Sequence, residues 1–62
     1  MDKHEWQSFL RWLDQANMEE LQRRRDQFLE LLPKLREPGT RSDARRCLRL
    51  IEQEMFPRLQ QS

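Results

Sequence analysis

Arginine is the residue with the most evident chemistry in this sequence, because its guanidinium group binds phosphates and carboxylates. Arg41, Arg45 and Arg49 recur every fourth residue and would share one helix face, with Arg46 beside them. From Arg23 to Arg49 the chain has nine basic and four acidic residues. We call Arg41, Arg45, Arg46 and Arg49 the arginine stripe. It is a candidate surface for RNA or DNA, which are bound largely through their phosphates.

Three features weigh against nucleic acid as the main partner. The net charge of the chain is only +1, and no aromatic residue interleaves the stripe to stack on bases. A helix-turn-helix also needs base-reading polar groups on its recognition helix, and asparagine and glutamine are missing from the start of the third helix. Nucleic-acid binding by a dimer, through the arginine stripe, is therefore the alternative hypothesis.

The consecutive residues Arg23, Arg24 and Arg25 do not form one basic face. Successive helical residues are separated by about 100° around the axis, so the three side chains point in different directions. Glu19 and Glu20 each lie four residues before an arginine, in the order that favours ion pairs with Arg23 and Arg24. We therefore interpret this run as a solvated helix face.

Arg25 differs from its neighbours because it falls on an apolar seam between Leu21 and Phe28. A polar residue on such a seam can set the register or the oligomeric state of a helical assembly. The aliphatic stem of Arg25 could lie along the core with its guanidinium at the edge, or Arg25 could pair with an acid from another helix or subunit. In either case we predict it as a protein contact point. The candidate acids are Glu5, Asp14 and Glu54.

Residues for catalysis or for holding a cofactor are sparse. The chain has one cysteine, Cys47, and one histidine, His4, whereas a structural zinc site needs about four such ligands. Cys47 falls on a predicted apolar helix face, where a thiol acts as a small hydrophobic group. Gly39 is the only glycine, so there is no phosphate-binding glycine loop. We predict a non-enzymatic protein with no cofactor, metal or small-molecule substrate.

The elements that must position these residues are all helical. Leucine, arginine, glutamate and glutamine dominate, valine and tyrosine are absent, and no stretch alternates in the manner of a strand. We predict one small all-α domain over 1–62 with helices at about 2–16, 18–35 and 41–57. Asp2 and Asn17 suit helix starts, and Glu20 would complete a capping box with Asn17.

The predicted ends of the helices come from proline and glycine. Pro33 should end the second helix near residue 32 or kink it, because proline lacks a backbone donor. Pro38 and Gly39 predict a turn, after which Thr40 or Ser42 caps the third helix, and Pro57 ends it. Two architectures fit these helices. If the first two are separate, the chain is a three-helix bundle; if the chain only kinks at residue 17, it is a long helical hairpin that dimerises.

The helix periodicity also predicts the hydrophobic core and some self-association. Chains of this size bury little apolar surface and often depend on oligomerisation. We therefore expect a homodimer. The predicted core residues are Phe9, Leu10, Leu13, Leu21, Phe28, Leu32, Leu48, Ile51 and Met55.

Tryptophans are frequent anchors of protein interfaces. Trp6 belongs to the apolar face of the first helix, and Trp12 lies beside it. We predict Trp6 and Trp12, together with Arg25, as contacts with a protein partner, Trp12 being the stronger candidate for a second chain. No apolar run is long enough to span a membrane, and membrane-surface binding is disfavoured because the polar side of this helix is acidic.

The stretches EWQSFLRWLDQ, ELQRRRDQFLELLPKLR and DARRCLRLIEQEM resemble the small all-helical accessory proteins of temperate phages. They are similar in style to short lambdoid proteins encoded between the exonuclease and excisionase genes. The resemblance implies a regulatory protein that binds a host or phage protein. We expect it to act in the cytoplasm of a bacterial host cell, where a lone cysteine stays reduced.

Overall fold

The computed structural model describes residues 1–60 and contains three α-helices in this part of the chain. Helix α1 spans Lys3–Gln15, α2 spans Met18–Leu31 and α3 spans Pro38–Gln60. A single turn of 3₁₀-helix, Leu32–Lys34, follows α2, and the described residues contain no strand. The all-α prediction is confirmed, and the chain forms a three-helix bundle rather than a hairpin of two long helices.

Side-chain caps define the first two helices. Asp2 precedes α1 and accepts a hydrogen bond from the Glu5 amide at 2.8 Å. Asn17 accepts from the Glu20 amide at 2.8 Å, while the Glu20 carboxylate accepts from the Asn17 amide at 3.2 Å. This capping box and the extended backbone of Ala16 and Asn17 separate α1 from α2, so the junction is a true break.

Of the two predicted ends of α2, the one near residue 32 agrees with the structure, and the continuation to about residue 35 is wrong. The α-helix stops at Leu31, and Pro33, which lacks a backbone donor, lies within the 3₁₀ turn. Leu35 then adopts an extended backbone, with its amide bonded to the Leu32 carbonyl at 3.2 Å. The chain leaves the helix at Leu35 and turns toward α3.

Both predicted ends of α3 are wrong. The helix starts at Pro38, because the fixed φ of proline and its missing N–H suit the first helical position. Thr40 and Ser42, the predicted caps, lie inside the helix, and the Thr40 hydroxyl donates to the Glu37 carboxylate at 3.3 Å. The helix also continues through Pro57 to Gln60, because a contact between Arg58 and the end of α1 holds its last turn.

The core lies where the three helices meet. Its central cluster comprises Leu13, Ala16, Leu21, Ile51 and Met55, and Ala44 and Cys47 are also buried. The other predicted core residues Phe9, Phe28, Leu32 and Leu48 are half-buried. The prediction of Leu10 in the core is wrong, because this side chain is 49% exposed. It follows Phe9 by about 100° around the helix, on the side away from Trp12, so it leaves the face that packs.

The arrangement is open for a chain of this length. Its radius of gyration is 12.1 Å, whereas a compact domain of this size has about 10–11 Å. Several large apolar side chains consequently stay outside the core. They are Met1, Leu10, Leu29, Leu31, Phe56 and Leu59.

Candidate protein-binding surface

The two tryptophans of α1 lie under arginines from the other helices. The guanidinium carbon of Arg24 lies 4.8 Å from the ring centre of Trp12, and that of Arg46 lies 4.9 Å from the ring of Trp6. Phe9 lies between them, with ring centres 6.1 Å from Trp6 and 5.8 Å from Trp12. Both tryptophans are half-buried, and Trp12 packs against the core cluster. These rings are therefore partly used in holding α1 to α2 and α3.

The three consecutive arginines have different surroundings. Arg23 pairs with Glu19 at 3.5 Å across one helical turn, which confirms that predicted ion pair. The predicted pair of Glu20 with Arg24 is wrong, because the Glu20 carboxylate belongs to the capping box and Arg24 lies over a tryptophan. Arg25 is half-buried, as its position on the seam predicted.

The ion pair of Arg25 is with its neighbour Asp26, at 3.4 Å, rather than with the predicted acids Glu5, Asp14 or Glu54. Its side chain keeps 36% of its surface exposed. Its buried Nε atom has no hydrogen-bond partner. Arg25 is therefore partly exposed beside apolar surface, and its one ion pair within the described residues is the long contact with Asp26.

The arginine stripe of α3 does not form one free basic face. Arg46 lies over Trp6, and Arg41 is half-buried with an unpartnered Nε atom. Arg45 and Arg49 are exposed, and neither forms an ion pair within residues 1–60. The structure thus leaves two of the four predicted guanidinium groups fully available to a phosphate backbone.

A shallow groove between α2 and α3 carries the three most exposed of the large apolar side chains in the described residues. Leu29 is 50% exposed, Phe56 is 60% exposed and Leu59 is 52% exposed. The buried side chain of Met55 lies at the same groove, whose volume is about 240 Å³. We call this surface the α2/α3 groove; it is completed by Arg25 and Glu52.

The two charged residues of the α2/α3 groove come from different helices. Arg25 belongs to α2 and Glu52 to α3, and no ion pair joins them. Glu52 is half-buried and forms no ion pair within the described residues. The groove therefore presents an apolar strip with one positive and one negative flank, which suits an amphipathic protein helix.

The sequence indicates Arg25 as a contact residue but does not single out the apolar residues around it. Phe56 follows the core residue Met55 directly and so lies about 100° away from the packed face. A phenylalanine that lies off the predicted apolar face, directly before Pro57, is the sequence feature that could have indicated this surface. Leu29 likewise follows Phe28, at a position that helical spacing assigns to the edge of the core seam.

The lone thiol lies away from this groove and is enclosed. Cys47 is 1% exposed, and its Sγ atom lies 3.9 Å from the Met1 Sδ atom. Burial raises the pKa of the Cys47 thiol above its usual value of 9.0, and the nearby Asp43 carboxylate raises it further. The Met1 amine pairs with Asp43, and this hydrogen bond raises the pKa of the amine. At neutral pH the thiol is therefore protonated and a poor nucleophile.

Two further features, a metal site and a membrane-spanning helix, are absent from the described residues. No three histidine, cysteine or acidic side chains come together in a way that could hold a metal ion within residues 1–60. Across the same residues, none of the helices combines the length and apolar character needed to cross a membrane.

Comparisons of the chain with protein-family models, with curated proteins and with solved structures give no match. The phage-type family therefore stays a prediction from the sequence resemblance.

Proposed function

We propose that this chain is a small non-enzymatic interaction protein that holds an amphipathic helix of a protein partner in the α2/α3 groove. The observation that carries the proposal is the exposure of Leu29 and Phe56 side by side on α2 and α3. Contiguous apolar surface bordered by polar groups is typical of protein interaction sites.

The charges at the groove define the chemistry of the partner. The Arg25 guanidinium can donate to a carboxylate, and Glu52 can accept from a basic side chain. A matching helix has an apolar face with an acidic residue on one flank and a basic residue on the other. Because opposite charges outside an interface core mainly fix orientation, this pattern selects the direction of the bound helix.

Of the three predicted contact residues, Arg25 lines the α2/α3 groove, whereas Trp6 and Trp12 do not. Trp6 and Trp12 are half-buried and covered by guanidinium groups, so a partner would have to displace those contacts to reach them. Phe56 is open and needs no such displacement. We therefore assign the binding energy to Phe56 and Leu29, and the direction of binding to the charges.

The non-enzymatic part of the proposal is supported by the state of the thiol. Cys47 is enclosed and protonated, so the one strongly nucleophilic side-chain type in the sequence is out of reach of a substrate. We propose a regulatory role of the phage type, exerted in the cytoplasm through a protein partner. Nucleic-acid binding is less favoured, because Arg46 lies over the Trp6 ring and Arg41 is half-buried.

A displayed library of helical peptides tests the groove, because it samples many partner sequences at once. The full chain, held dilute, is the target, and selected peptides are then tested against Phe56→Asp. We expect peptides with one apolar face, whose binding is lost in Phe56→Asp and kept in Gln53→Asp, an exposed control on the same helix. Peptides that bind both variants equally, or the absence of any selected peptide when the chain is monomeric, would contradict the proposal.

A further inference from the structure

We infer that the protein partner at the α2/α3 groove is a second copy of this chain, whose own α2 and α3 pack against the groove across a two-fold axis. In this dimer Arg25 of each copy faces the partner's Glu52. The inference rests on the proposed function, because it names the occupant of the same groove.

The charges of the groove are the first reason to choose a second copy. A two-fold interface places the same surface on both sides, so it must be complementary to itself. The α2/α3 groove meets this condition, since it carries one cation on α2 and one anion on α3, and the two are not paired with each other. Rotation by 180° about an axis that passes between the two charges brings Arg25 of each copy opposite the partner's Glu52.

The incomplete pairing of both groups is the second reason. Glu52 is half-buried and forms no ion pair in the described part of the chain, so its carboxylate is available to a cation from a second copy. Arg25 has only a 3.4 Å contact with Asp26, and 36% of its side-chain surface is exposed. A contact between the exposed part of the Arg25 guanidinium and the partner's Glu52 would give both groups a charged partner.

The apolar residues give the third reason. Leu29 and Phe56 are 50% and 60% exposed in a chain whose buried core is small and whose shape is open. A two-fold axis through the groove doubles the apolar strip, so that Phe56 of each copy packs near the partner's Leu29. Small helical chains commonly gain stability by associating in this way.

The α2/α3 groove dimer leaves the rest of the surface unchanged. The tryptophans with their covering arginines belong to α1 and to the helix faces that contact it, and they do not line the groove. Arg45 and Arg49 also lie outside the groove. A charge change at Arg45 therefore serves as a control for changes within it.

Sedimentation equilibrium over roughly a hundredfold range of concentration tests the inference, because self-association depends on concentration. We expect the wild-type chain to form a dimer. Arg25→Glu places two carboxylates together at each contact, and Glu52→Arg places two guanidinium groups together. Each change is expected to raise the dimer dissociation constant by roughly tenfold or more, whereas Arg45→Glu, two helical turns from Glu52, leaves it unchanged.

The mixture of the two single variants is the decisive sample. Arg25→Glu has two acids in the groove and Glu52→Arg has two bases, so a two-fold arrangement makes both contacts favourable in the mixed dimer. We expect the mixture to recover wild-type dimerisation. Circular dichroism tests whether each variant is folded. If a charge-reversal variant is not folded, the neutral variants Arg25→Gln and Glu52→Gln are measured instead. Each neutral variant is expected to weaken the dimer, but less than charge reversal does.

A wild-type chain that stays monomeric throughout would overturn the inference, as would a dimer that is insensitive to Arg25→Glu and Glu52→Arg, or a mixture that does not recover. In all three cases the peptide selection still tests the proposed function separately. Peptide binding without self-association would show that the groove binds a different protein. A dimer without peptide binding would restrict the groove to self-association.

Discussion

The Arg58 guanidinium of α3 donates a hydrogen bond of 2.7 Å to the backbone carbonyl of Ala16, at the junction of α1 and α2. Ala16 is 4% exposed and forms the C-terminal cap of α1. The same guanidinium lies 3.7 Å from the Glu54 carboxylate one turn earlier in α3. One side chain thus satisfies a helix-end carbonyl and fixes the last turn of α3 beyond Pro57.

We expect Arg58→Ala to lower the free energy of unfolding by about 1–2 kcal/mol, since a charged hydrogen bond to a poorly hydrated carbonyl is lost. Urea denaturation followed by circular dichroism measures the change. Arg45→Ala is the control, because Arg45 is exposed and forms no ion pair within the described residues, and it should change stability by less than about 0.5 kcal/mol. Equal effects of the two substitutions would contradict this role of Arg58.

The features of the fold that could be predicted from the sequence are those set by neighbouring residues. Asp2 and Asn17 start helices because their side-chain oxygens reach amides three residues ahead, which is a local property. The core residues Leu13, Leu21, Ile51 and Met55 follow from helical spacing in the same way. Local rules of this kind predict the all-α fold.

The features that could not be predicted depend on contacts between helices. The continuation of α3 past Pro57 depends on Arg58 reaching a carbonyl of α1, and spacing along α3 cannot show this. The exposure of Leu10 depends on the rotation of α1 against its neighbours. For the same reason the sequence indicates Arg25 as a contact residue and puts Phe56 off the packed face, but it cannot place the two residues beside each other.

Gly39 lies in the first turn of α3 and offers a site for stabilisation. Its backbone φ is not positive, and a Cβ atom added there meets no atom within 4 Å. We expect Gly39→Ala to raise the free energy of unfolding by about 0.5 kcal/mol, because alanine reduces the conformational freedom of the unfolded chain. Thermal unfolding measures the change. Gln53→Gly in the exposed middle of α3 should act in the opposite direction, by about 1 kcal/mol.

The arginines over the tryptophans should contribute to the attachment of α1. We expect Arg24→Ala and Arg46→Ala each to lower the free energy of unfolding by about 0.5–1 kcal/mol, the usual size of a cation–π contact near the surface. Each should also make tryptophan fluorescence more sensitive to a neutral quencher. Arg49→Ala, which uncovers no ring, is the matched control, and an effect as large as that of Arg46→Ala would indicate a general charge effect.

The stability of the fold should decrease as the pH rises above about 8, because two groups hold their protons more tightly when folded. The pKa of the Met1 amine is raised above 8.0 by its hydrogen bond with Asp43, and the pKa of the Cys47 thiol is raised above 9.0 by burial. The stabilisation that each group contributes is complete when the pH is below the pKa of that group in the unfolded chain. It is lost as the pH rises through the folded value, where the amine loses its charge and the thiol ionises.

Urea denaturation at several pH values from 7 to above the folded pKa of the thiol measures this decrease. Asp43→Asn removes the partner of the amine and the carboxylate that disfavours the thiolate, so it should flatten the pH dependence. Cys47→Ala should remove only the part that begins above 9.0. Asp14→Asn, at an exposed position of α1, should leave the curve unchanged. A wild-type stability that stays constant over this range would contradict both pKa directions, because each requires protons to be released on unfolding.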